Sequence, residues 1–219
     1  MDKSTLRQKI KSLLENHKGT FAVQSEEVCK KILSSSAYKN ASSVFAYMAL
    51  PDEVCLMALI KEAMKDGKKV WLPRIISGTS NMDFYPLEVG KEIESQVRDG
   101  SFQILEPVAD EKKKFRIPLA GGECMCDGTD KTGRGVSGIA LEKILILVPG
   151  RAFTKGGKRL GRGKGFYDFY LSCLKKNYPD PHKLIFAGVC FDFQLVEENE
   201  LEVSEYDVPM DEVFSPIGE

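Results

Sequence analysis

A chain of 219 residues is long enough to bury one substantial core, and 42% hydrophobic with 29% charged residues is the composition of an ordinary globular protein. These values exclude a disordered chain, and the apolar run at residues 54–60 falls far short of the roughly 20 residues that span a bilayer. The net charge of -1 hides an acidic tail, for no Lys, Arg or His follows Leu184 while Glu197, Glu198, Glu200, Glu202, Glu205, Asp207, Asp211 and Glu212 all do.

Residues 3–14 read as a helix, with Leu6, Ile10, Leu13 and Leu14 on one stripe and Ser4 as its cap. Lys3 and Arg7 stand four apart and share a face near its start. Residues 23–33 form a second amphipathic helix through Val23, Val28, Ile32 and Leu33. Residues 43–48 read as a buried strand that stops before Pro51, and Asp52 and Glu53 open a helix over residues 54–65, where acids serve the dipole and the cap. Gly67 closes that helix, residues 69–75 make the next strand, and residues 82–87 make a further short strand in which Pro86 argues for a sheet edge or a strand end. The charge run and glycine-rich stretch at residues 110–140 have no hydrophobic period and read as a mobile surface excursion from a single domain.

The apolar run at residues 144–148 breaks at Pro149-Gly150 into a glycine-rich loop carrying Arg151, Lys155, Lys158, Arg159, Arg162 and Lys164, with no acid before Asp168. A helix follows over residues 165–177, so the loop leads from a strand into a helix N-terminus. Glycines admit a close ligand, and cations beside free backbone N–H groups favour an anion, so a phosphate-rich ligand is expected. The loop is not of the Walker A type: Lys158 stands where its first glycine belongs, and Gly165 where Ser or Thr should follow Gly163-Lys164. Nor is it a dinucleotide fingerprint, because Gly161, Gly163 and Gly165 are spaced two apart. With a last strand at residues 185–191, strands near 43, 70, 83, 144 and 185 alternate with helices, which predicts an α/β layer sandwich with a largely parallel sheet.

The opening residues lack the apolar core of a signal peptide, and a cytoplasmic protein is expected. Cys29, Cys55, Cys124, Cys126, Cys173 and Cys190, with only His17 and His182 as imidazoles, offer no zinc spacing, and reduced thiols are expected.

VPGRAF at residues 148–153 followed by RLGRGKGFYD at residues 159–168 resembles the signature of the 5-formyltetrahydrofolate cyclo-ligases, also called methenyltetrahydrofolate synthetases. Lys3-Ser4-Thr5-Leu6-Arg7 fits that family's N-terminal K-x-x-L-R element, and residues 207–213 resemble its D-x-x-x-D-x-V tail. The resemblance implies a three-layer sandwich like that of sugar-phosphate isomerases and CoA transferases. It implies ATP-driven closure of 5-formyltetrahydrofolate to 5,10-methenyltetrahydrofolate, through a phosphorylated formyl oxygen, with release of ADP and phosphate. It places ATP on Lys3, Arg7, Arg159, Leu160, Gly161, Arg162, Gly163, Lys164, Gly165, Phe166 and Tyr167, and Mg²⁺ on Asp168 and Asp207. It places the folate on Met48, Glu53, Arg162 and Phe166, with Arg162 and Lys164 as the catalytic cations, and leaves Arg74 and Glu106 as candidates for the cleft wall. The implied partners are these small molecules alone, with no nucleic acid and no membrane, and the implied state is a monomer.

Three departures stand out: Thr154 where many members have an acid, Phe166 where the family motif has its first Tyr, and the insertion at residues 110–140. Two rival readings are a non-catalytic module whose basic loop grips a nucleic-acid backbone, and a sugar-phosphate or acyl-CoA enzyme of related fold.

Overall fold

The computed structural model describes residues 2–79, 81–101, 104–117 and 142–216. In chain order its strands are β1 (Ser43–Phe45), β2 (Lys69–Ile75), β3 (Met82–Pro86), β4 (Val97–Asp99), β5 (Leu105–Pro107), β6 (Ile144–Pro149), β7 (Ala152–Phe153), β8 (Arg159–Leu160), β9 (Leu184–Val189) and β10 (Glu212–Phe214). The α-helices are α1 (Lys3–Asn16), α2 (Phe21–Ser34), α3 (Ser36–Asn40), α4 (Met57–Lys65) and α5 (Phe166–Asn177).

Six strands make the main sheet in the order β10-β9-β6-β1-β2-β3. All neighbours run parallel except β2 and β3. A parallel sheet must be covered on both faces, and β6, an uninterrupted apolar run, is buried accordingly. Alternation along β6 divides the core: Leu145 and Leu147 pack with α1, α2 and α4, whereas Ile144, Ile146 and Val148 pack with Tyr170, Leu171 and Leu174 of α5. The result is the expected α/β sandwich, with helices on both faces of a mostly parallel sheet.

Chain direction places the functional cleft. After β1 the chain crosses by α4 to β2 on one side, and after β6 it crosses by α5 to β9 on the other. The two connections leave adjacent parallel strands on opposite faces, which opens a crevice beyond their carboxyl ends. Residues 46–56 form one wall and residues 150–165 the other.

Several boundaries differ from the sequence reading. Asp2, not Ser4, caps α1, because its carboxylate accepts from both Ser4 N and Thr5 N. β1 stops at Phe45, and α4 starts only at Met57, so Asp52 and Glu53 lie in a turn ahead of the helix rather than in its first turn. That turn is held by Leu50 N donating to Glu53 Oε2 at 3.0 Å. Residues 110–117, read as the start of a surface excursion, dock instead on the sheet: Phe115 packs edge-on against Phe45 and Trp71, and Ile117 is buried. The rest of the predicted excursion, residues 118–141 with Cys124 and Cys126, lies outside the described residues.

Among the described residues no helix is long and apolar enough to cross a membrane. Cys29, Cys55, Cys173 and Cys190 are free thiols.

Candidate active site

The crevice between β1 and β6 is a cleft of about 1320 Å³. One end is built by the loop that leaves β6. There β7 and β8 pair as a short antiparallel hairpin, closed by Thr154, whose buried Oγ1 accepts from Lys158 N at 3.1 Å. Gly157 at the hairpin tip has φ +89°, and a Cβ there would lie 2.1 Å from Met210 O. Only glycine fits, and Met210 N donates back to Gly157 O at 2.8 Å, which pins the loop to the tail. The loop then enters α5 through Gly165 at φ +74°, with no side chain capping the helix N-terminus.

Every residue singled out for a ligand or metal lines this cleft: Lys3, Arg7, Met48, Glu53, Arg159, Leu160, Gly161, Arg162, Gly163, Lys164, Gly165, Phe166, Tyr167, Asp168 and Asp207. Of the six loop cations, Arg151, Arg159, Arg162 and Lys164 line it. Lys158 turns away, donating to Glu198 O at 2.7 Å. Glu106 is on the wall but is a structural acid, accepting from Ile75 N at 3.3 Å and Ser101 N at 3.2 Å, with Arg74 Nε 3.8 Å away. It anchors the β4–β5 hairpin to the end of β2.

The loop lacks acids in sequence but not in space. Arg159, whose side chain is only 4% exposed, donates from Nη2 to Asp168 Oδ1 at 2.7 Å and lies over the Tyr167 ring. Asp168 Oδ1 also accepts from Val208 N at 3.3 Å, which sets Asp168 beside the backbone next to Asp207. Asp207 in turn holds Lys3 Nζ at 2.5 Å, and Arg7 Nε donates to Gly161 O at 3.0 Å, so α1 is tied to both the tail and the loop. Burial raises the Asp207 pKa, but Lys3 and the Ser204 N–H and hydroxyl outweigh it and bring it below the ordinary value.

Arg162 crosses the cleft. Its Nε donates to Glu53 Oε1 at 2.9 Å and its Nη2 to Asp52 Oδ1. The second oxygen of Asp52 takes Arg151 Nη1 at 2.5 Å. Burial pushes the Asp52 carboxyl up, and Arg162 and Arg151 more than reverse it. Burial likewise opposes the Arg162 charge, while Glu53 and Asp52 hold its pKa above the ordinary value. Asp52 and Arg151 are absent from the set that the sequence singled out for the site. Arg151 reads only as one of the six loop cations, and no local signal joins it to Asp52, because an acid before a helix reads as a cap and its partners stand about a hundred residues away.

Two buried polar atoms on the cleft wall, Arg159 Nε and the Tyr167 hydroxyl, have no partner among the described residues. Burial, reinforced by the Glu53 charge and opposed by Arg159, drives the Tyr167 pKa far up, so this hydroxyl stays protonated. Phe166, the departure from the family's Tyr, is half-buried against the α5-side core.

A family model described as the 5-formyltetrahydrofolate cyclo-ligase family matches residues 1–117 and 130–216. The chain belongs to this family. The match leaves out residues 118–129, inside the predicted insertion. Among cyclo-ligase relatives, the mouse 5-formyltetrahydrofolate cyclo-ligase is 28% identical over 192 residues, covering 87% of this chain and 81% of the relative. A probable 5-formyltetrahydrofolate cyclo-ligase of Schizosaccharomyces pombe is 30% identical over 199 residues, covering 88% and 84%. The solved 5,10-methenyltetrahydrofolate synthetase of Aquifex aeolicus superposes with a TM-score of 0.67 at 26% identity, covering 100% of this chain and 91% of that one. The Mycoplasma pneumoniae synthetase, 17% identical with a TM-score of 0.61, shares the fold.

Proposed function

We propose that this cyclo-ligase family member closes 5-formyltetrahydrofolate to 5,10-methenyltetrahydrofolate at the expense of ATP. One observation carries the reading most directly: Arg162, on the phosphate-type loop, reaches Glu53 on the opposite wall at 2.9 Å. The two halves of the cleft therefore abut, as direct phosphoryl transfer between two substrates requires.

The chemistry explains the need for ATP. The N5-formyl oxygen is an amide oxygen and leaves poorly as oxide or water. Transfer of the γ-phosphoryl group to it breaks the bond to ADP and forms a phosphate ester. The N10 lone pair attacks the formyl carbon, the N10 proton is lost, and the C–O bond breaks with phosphate as the leaving group. No side chain acts as a covalent nucleophile, and the protein contributes alignment and charge.

In this reading Arg159, Arg162 and Lys164, with the amides of residues 160–167 and the uncapped start of α5, receive the triphosphate. Lys3 and Arg7 reach it from α1, and Arg159 Nε and the Tyr167 hydroxyl, without a partner among the described residues, are placed to bond a ligand. Glu53, with Met48 and Phe166 lining the same cleft, receives the folate ring. Asp168 and Asp207 suit Mg²⁺, which takes only one or two protein carboxylates when phosphate oxygens and waters complete its shell. When bound it would neutralise charge on the phosphate oxygens.

The paired setting of the arginines also weighs against a nucleic-acid module. A loop that grips a phosphate backbone displays its cations, whereas Arg151, Arg159 and Arg162 each face a carboxylate inside the cleft.

Labelling the formyl oxygen with ¹⁸O tests the phosphorylated intermediate. The label is expected in the released phosphate; its appearance in water instead would exclude transfer to that oxygen.

A further inference from the structure

Arg162 is held by two neighbouring carboxylates that are not equivalent. Glu53 Oε2 is committed to Leu50 N at 3.0 Å, so Oε1, the oxygen that takes Arg162, is the one an incoming N–H donor must share. A folate ring presents such donors on its amino-pyrimidinone edge. As Glu53 turns to the substrate, Arg162 loses a partner and, with it, part of what fixes a long and rotatable side chain.

Asp52 has no such competing demand. One of its oxygens holds Arg162 and the other holds Arg151, whose side chain is 17% exposed and leaves the chain directly after Pro149-Gly150 at the end of β6. The Arg151 backbone is fixed as well, its N–H donating to Leu160 O at 2.6 Å across the hairpin. Together Arg151, Asp52, Arg162 and Glu53 sum to zero charge beside the place where a triphosphate would lie.

We infer that Asp52 and Arg151 form a positioning pair that keeps Arg162 aimed at the junction of nucleotide and folate while Glu53 is taken by the substrate. Neither residue touches the reacting atoms; both act through Arg162. The inference rests on the proposed function and adds two residues to it.

The test is a double-mutant comparison. Arg151→Ala and Asp52→Asn are made in the parent and in an Arg162→Ala background, and kcat, KM for both substrates and melting temperature are measured. In the parent each is expected to lower kcat about tenfold with the protein still folded, as coupled neighbours do. In the Arg162→Ala background each is expected to change the residual rate by less than about twofold. Asp52→Asn keeps the side-chain shape and serves if Arg151→Ala does not fold. Equal losses in both backgrounds, or unchanged kcat in the folded parent variants, would overturn the pair alone. Absence of ring closure by the parent enzyme would instead sink the proposed function, and the pair with it.

Discussion

Replacing Arg162 by Ala is the sharpest perturbation of the cleft. The change removes a guanidinium that bridges Glu53 and Asp52, leaving Glu53 with the Leu50 N–H and Asp52 with Arg151. Loss of one charged donor acting chiefly in the transition state costs about 3 to 4 kcal/mol. An exposed carboxylate left about 4 Å from a phosphoryl oxygen adds about 1 kcal/mol of repulsion in a water-like medium and about 4 kcal/mol at an effective dielectric of 20. The Arg162 side chain is 33% exposed, so solvent screens this second contribution toward its lower end. Together these make about 4 to 5 kcal/mol, so the rate of ring closure at saturating ATP and folate should fall roughly 10³- to 5 × 10³-fold. Stability should change by about 1 kcal/mol at most, because partly exposed pairs contribute little to folding. Steady-state absorbance kinetics with a thermal melt on the same sample measure both. Near-normal turnover in a folded Arg162→Ala protein would refute the role given to this residue.

Other consequences follow from the same geometry. Tyr167→Phe removes a buried hydroxyl that has no partner among the described residues, so the melting temperature should hold or rise while ATP or folate affinity falls; calorimetry showing the opposite signs would be decisive against a ligand role. Gly157→Ala should lower stability by about 2 kcal/mol or more, since it combines a left-handed φ with a clash against Met210 O, and a melting temperature equal to the parent's would contradict this. The Lys3–Asp207 tie gives a pH signature: Asp207 is depressed below its ordinary 3.8, so its contribution is complete above that pH and is lost as pH falls through the lower folded value. The stability difference between the parent and Lys3→Met should thus be constant near neutrality and shrink toward zero in acid, and a difference that grows in acid would reverse the assignment.

Much of this was legible in the sequence because it is local. β6 announces itself as an unbroken apolar run, and the glycine spacing with Gly165 before α5 fixes a strand-loop-helix unit without tertiary help. The elements missed depend on distant partners. β10 is a three-residue strand with a charged first position, held at the sheet edge by β9 and by Asp211, whose carboxylate accepts from Phe186 N at 2.8 Å. Asp52 looked like a helix acid because acids there usually are, and Glu53 stood out only through the family resemblance; the partner both meet in the cleft is Arg162, 110 residues from Asp52 and 109 from Glu53. The loop looked like bare positive charge for the same reason, its counter-ions being supplied from β1's loop, from α5 and from the acidic stretch around Glu198. Thr154 departs from the family's acid, yet its hydroxyl closes the hairpin by taking Lys158 N, a role no pattern of residue types reveals.

The measurement that bears most directly on the central claim is ring closure itself. Purified protein is mixed with 5-formyltetrahydrofolate, Mg²⁺ and ATP, and the near-ultraviolet absorbance of the methenyl product is followed, with ATP omitted as the control. An ATP-dependent rise that Asp168→Ala abolishes is the expected result. No rise, from protein shown to be folded and to bind ATP, would contradict the account and turn attention to Phe166 and Thr154.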